Sequence, residues 1–89
     1  MNENLKQEII EISRIFNIKK LILFGSAMKS FENANDVDFA CEGITGKSFL
    51  RFGSKLEELL NKPVDLIMIE QHNRFVDEIL KDGIVIYES

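Results

Sequence analysis

The four residues Leu21–Phe24, "LILF", constrain the fold most. They form an unbroken apolar run bounded by Lys19-Lys20 and Gly25, too short to be a helix of its own. A run without polar alternation predicts a strand buried on both faces, so the rest of the chain has to supply a layer on each side. Leu5, Ile9, Ile12 and Phe16 recur at helical spacing and predict an amphipathic helix over residues 3–17. Phe49, Phe52, Leu56 and Leu59 form a second stripe over 47–61, with Pro63 just past its end. Phe75, Val76, Ile79 and Leu80 mark a third helix, with Gly83 as its C-terminal cap.

Three more apolar runs predict strands: "DVDFAC" over 36–41, "VDLIMI" over 64–69 and "IVIY" over 84–87. The order is α, β, turn or short helix, β, α, β, α, β. It implies an α/β (α+β) fold, a small mixed sheet flanked by helices. At 89 residues the chain is read as a single domain, residues 1–89, without repeat or linker. A domain of this size buries roughly 60–70% of its unfolded surface. The formal net charge of −4 argues against a nucleic-acid-binding face. Cys41 is the only cysteine, which excludes an intramolecular disulfide and points to a reducing compartment. The polar start "MNENLKQEII" has no signal-peptide character, and no apolar run approaches the roughly 20 residues of a membrane span. The expected setting is the cytoplasm.

Chemistry is carried by acids where hydrophobes are expected. Asp36 and Asp38, two apart in a strand, leave the same face. Asp65 interrupts the third apolar run. If those strands are neighbours, three carboxylates share one patch and repel unless a cation joins them or some take up protons. Magnesium, which uses oxygen ligands and often one or two carboxylates plus substrate phosphates, suits such a patch. Gly25-Ser26 supplies a complementary half. Glycine allows close backbone approach, and a helical turn starting near Ser26 would turn its amides toward an anion. Lys29 adds a point charge on the same loop.

Gly25-Ser26, a polar loop, Asp36-x-Asp38 and then Asp65 on a later strand resemble the DNA polymerase beta-type nucleotidyltransferases. More narrowly, the chain is similar to their minimal members, the MNT domains that pair with HEPN-domain toxins as antitoxins. The resemblance runs from "LILFGS" to "GIVIYES". It implies the nucleotidyltransferase fold and a catalytic set of Asp36, Asp38 and Asp65 holding two Mg2+ ions, with Asp65 also activating the acceptor hydroxyl. Gly25, Ser26 and Lys29 would bind the nucleotide's phosphates. The family often carries arginine where this chain has Ala27 and Lys29. The implied reaction is transfer of AMP from ATP to a hydroxyl, a tyrosine of a HEPN ribonuclease toxin, with the partner completing the site. Two rival readings stand beside it: neutralisation of the partner by contact alone, and nucleotidyl transfer to a small molecule.

Each feature has a plainer reading. Asn35-Asp36 is turn chemistry. Edge-strand exposure would explain Asp38 or Asp65 without a site, and the apolar context weighs against it. "GITGKS" over 43–48 has two residues between its glycines where a phosphate-binding Walker loop has four, so it predicts a turn and helix start. His72 is expected at the surface, Tyr87 in terminal-strand packing and Cys41 in the core.

Overall fold

The computed structural model describes residues 1–70 and 72–89. In chain order the elements are α1 (Glu3–Ile15), β1 (Lys20–Phe24), a 3-10 turn (Ser26–Met28), β2 (Val37–Glu42), α2 (Gly46–Leu60), β3 (Val64–Met68), α3 (Arg74–Asp82) and β4 (Ile84–Glu88). The strands form one mixed sheet in the order β3-β2-β1-β4. β1 is antiparallel to both β2 and β4, whereas β2 and β3 run parallel, joined by the crossover helix α2.

Local chemistry sets the element ends. Asn2 and Asn73 cap α1 and α3, their side-chain oxygens accepting from Leu5 N at 2.8 Å and Val76 N at 2.9 Å. Asn61 ends α2 in the left-handed region, φ 54. Gly83 ends α3 as expected, but with φ −72, so its value lies in close packing and not in a left-handed cap. A side chain there would meet Ile79 O at 2.6 Å and Leu23 O at 3.1 Å. "GITGKS" is a loop followed by the start of α2, with Gly43 and Gly46 at φ 93 and 63.

The two faces of the sheet are covered unequally. Leu21, Leu23, Val37, Phe39 and Cys41 point into the main core with Ile9, Phe52 and Leu56 of α1 and α2. Phe16 and Phe52 pack there at 5.4 Å between ring centroids. The opposite face holds a smaller cluster, Ile22 and Ala40 under Val76 and Ile79 of α3. Central β1 is therefore buried on both sides, as its sequence predicts. Cys41 is in the core, Tyr87 packs against it and His72 is exposed, again as expected. Phe75 departs from the expected core stripe: it is 57% exposed. Among the described residues no helix is long and apolar enough to cross a membrane.

Phe52 is fully buried at the contact between α1 and α2. Phe52→Ala should lose about 3–5 kcal/mol of stability, a large share of what a domain this small holds. Urea denaturation followed by circular dichroism measures this as a fall in midpoint.

Candidate active site

The expected carboxylates meet where the sheet face is left open beside α3. Asp38 lies on β2 directly beside Asp65 on parallel β3, while its partner across antiparallel β1 is Phe24. Alternation along the strands puts Asp38 and Asp65 on the α3 side, in line with Phe24, Ala40 and Ile67 of the smaller cluster. Asp36 falls one residue before β2, in a bend, and not inside the strand as the sequence predicts. The ladder starts one residue later, where Val37 N donates to Pro63 O at 3.0 Å. Asp36 nevertheless stays close enough for its charge to act on Asp38.

The acids differ in environment. Asp38 is half-buried, whereas Asp36 and Asp65 are exposed. Burial first, then the charges of Asp36 and Asp65, push the Asp38 carboxyl above its ordinary value of 3.8. Asp65 remains open to solvent. β3 is an edge strand, so the exposure weighed against in the sequence applies to this residue. Among the described residues no group of three or more His, Cys, Asp or Glu side chains is arranged to hold a metal ion. What the chain does present is a partly desolvated carboxylate flanked by two others, a local excess of negative charge that a cation complements.

Gly25 lies directly against this carboxylate. With φ 78 and ψ −159 it occupies a backbone region that is essentially reserved for glycine. A Cβ there would overlap Oδ2 of Asp38 and come within 3.2 Å of its Cγ. The 3-10 turn opens at Ser26, where the sequence placed a helical turn. Its own bonds use the amides of Met28 and Lys29, which leaves those of Ser26 and Ala27 outside them. Ser26 is exposed and Ala27 is buried in the core.

Lys29 and Gly25 line neighbouring cavities that share Met28. Lys29 borders one of about 350 Å³ with Lys6, Phe31 and Ile86, and Gly25 borders one of about 190 Å³ beside α3. Asp65 adjoins a third, about 300 Å³, at the β3 edge against α2. A hollow of about 490 Å³ between α1 and α2 lies on the opposite side of the sheet from the carboxylates, so volume does not mark the site.

One contributor escapes sequence reasoning. Lys62, in the turn between α2 and β3, donates from Nζ to Phe31 O at 2.6 Å and Glu32 O at 3.2 Å, and lies 5.1 Å from the centroid of the Phe31 ring. With the neighbouring Pro63 bond to Val37, it ties the loop carrying Asp36 to the turn that launches Asp65. A lysine before a proline looks like any solvated charge, and nothing in the sequence reveals partners some thirty positions earlier.

Two outcomes follow. Because the folded chain holds the Asp38 proton more tightly than the unfolded chain, this group lowers stability as pH rises from about 3.8 through its raised folded value. Asp38→Asn should therefore melt at or above wild type at pH 7, with the difference vanishing below the ordinary carboxylate range; thermal melts across pH check this. Gly25→Val should lower stability by about 1–3 kcal/mol through backbone strain and displace the Asp38 carboxylate, read by denaturation and by Asp38 chemical shifts.

The family model described as Polymerase beta, Nucleotidyltransferase matches residues 7–89. No curated protein matches the chain significantly in sequence. Among solved structures, a mutant of the toxin–antitoxin MntA-HpeT, with two aspartates two positions apart changed to glutamate, is similar over 100% of this chain and 75% of its own, at 18% identity and TM-score 0.76. A Shewanella oneidensis complex of a tri-AMPylated HEPN toxin with an MNT antitoxin is similar over 100% of this chain and 74% of its own, at 19% identity and TM-score 0.73. A toxin–antitoxin with AMP-PNP is similar over 94% of this chain and 73% of its own, at 20% identity and TM-score 0.75. At such identities the likeness is one of fold, and it agrees with the mixed sheet and helices described above. The family match spans nearly the whole chain and includes Gly25-Ser26, Asp36, Asp38 and Asp65: the chain belongs to the polymerase beta nucleotidyltransferase family.

Proposed function

We propose that the chain is a magnesium-dependent adenylyltransferase that moves AMP from ATP to a tyrosine hydroxyl of a HEPN-domain toxin, and so acts as that toxin's antitoxin. The observation that carries this reading is the alignment of Asp38 with Asp65 on adjacent strands, with Gly25 held against the Asp38 carboxylate. Three further findings support it. Similar folds occur in toxin–antitoxin complexes, one with a tri-AMPylated HEPN toxin and another with AMP-PNP. The aspartates altered in a third have the spacing of Asp36 and Asp38.

In this reading Gly25 and Ser26 hold the β- and γ-phosphates with backbone amides and the serine hydroxyl. Asp36 and Asp38 hold Mg2+ together with the phosphates, a donor set of the kind this ion accepts. When bound, magnesium supplies charge neutralisation at the α-phosphate and lowers the acceptor hydroxyl's pKa. Asp65 orients the acceptor hydroxyl. The acceptor oxygen bonds to the α-phosphorus, the bond to pyrophosphate breaks, and the hydroxyl proton leaves toward the carboxylates. Lys29, one residue past the 3-10 turn, would add a point charge toward the phosphates.

A second reading is neutralisation by contact alone. The exposure of Asp65 at the edge of the sheet favours it. Mass spectrometry of the co-purified partner separates the two. Wild type should add AMP, and Asp38→Asn should stay folded while reducing transfer by orders of magnitude. Unchanged modification by folded Asp38→Asn would overturn the catalytic reading. A partner silenced without modification would establish contact as the mechanism.

A further inference from the structure

The cavity beside Gly25 has a character of its own. Phe24, next to Asp38 across the sheet, meets Phe75 of α3 edge-on, with ring centroids 6.2 Å apart at 85°. Phe75 is 57% exposed, an aromatic ring with one partner and one open side. The two rings, with Gly25 and Met28, line a hollow of about 190 Å³. Among the described residues its charged lining is Glu78 and Asp82, one helical turn apart on α3, with no cation.

We propose that this hollow is a nucleobase pocket, and that it selects an amino-bearing purine, adenine. The proposal rests on the transferase reading above, which names ATP, and adds where on the chain its base is held and which residues select it. The volume lies below the roughly 300 Å³ at which pockets for whole drug-sized ligands begin, and suits one flat ring system. Open aromatic faces take any base by stacking. The two carboxylates add selectivity: they accept hydrogen bonds from the exocyclic amine of adenine and repel the carbonyl oxygen that uracil presents at the corresponding edge. The same charges repel phosphate, which orients the nucleotide with its phosphates toward Gly25-Ser26 and its base toward α3. Continuity supports this occupant: Gly25 borders the hollow and also touches the Asp38 carboxylate.

Calorimetric titration with Mg-ATP, Mg-UTP and Mg-tripolyphosphate tests the pocket, using wild type, Phe75→Ala and the Glu78→Gln/Asp82→Asn double variant. Wild type should bind ATP more tightly than UTP, and both more tightly than tripolyphosphate. Phe75→Ala should weaken ATP about tenfold and leave tripolyphosphate unchanged. The double variant should narrow the gap between ATP and UTP. Phe75 is exposed, so its replacement leaves the core intact, and the wild-type comparison of ATP with tripolyphosphate needs no variant. Tripolyphosphate binding with no gain from a base would overturn the pocket while leaving the transferase reading standing. Binding of none of the three would overturn the pocket, and AMP on the co-purified partner decides the transferase reading separately. Loss of a co-purifying partner from Phe75→Ala, with nucleotide binding intact, would assign the ring to a protein interface and overturn the pocket.

Discussion

The register of β2 is the constraint on which the rest depends. This strand pairs antiparallel with β1 on one side and parallel with β3 on the other, and both ladders hold Asp38 in place. A shift of one residue would reverse every side chain on it. Val37, Phe39 and Cys41 would leave the main core, and Asp38 would enter it. The hydrophobic drive that buries Phe39 thus also decides where the carboxylate stands. Core and site are specified by one alternation, so a change in the packing of the α1–α2 face reaches the chemistry on the opposite face without touching a polar atom.

Much of this was legible in the sequence because it is written in local periodicity. "LILF" announced a doubly buried strand, the stripes at Ile9 and Phe52 announced the helices, and Gly25-Ser26 with the aspartates announced the family. What escaped was long-range. Strand order decides whether an acid in an apolar run is buried or at an edge, and no local pattern gives strand order. Hence the sequence treats Asp38 and Asp65 alike, whereas the fold leaves Asp38 half-buried on an inner strand and Asp65 exposed on edge strand β3. Lys29 follows Ser26 by three positions and lines a cavity next to that of Gly25, with Met28 common to both. Lys62 finds its partners across the fold, and Phe75 obeys helical spacing yet stays largely exposed beside Phe24.

The unequal covering of the two sheet faces links these points. Two long helices seal one side, and a single short helix covers part of the other. The thick layer supplies most of the apolar burial. The thin one leaves a ledge where polar side chains can sit on rigid strands, which hold them more firmly than a loop would. Stability and access are therefore assigned to opposite faces of the same four strands.

The pairing of β1 with β4 has a consequence for how the chain reaches this state. Residues 20–24 meet residues 84–88, closing a loop of roughly 60 residues, an entropic cost met before the contact is made. Until β4 docks, the central strand presents an apolar edge with unsatisfied amides and carbonyls, the kind of surface that recruits other strands. During synthesis that edge emerges long before its partner. The nascent chain thus passes through a stage in which its most hydrophobic strand is exposed, and chaperone binding or premature aggregation would be decided there.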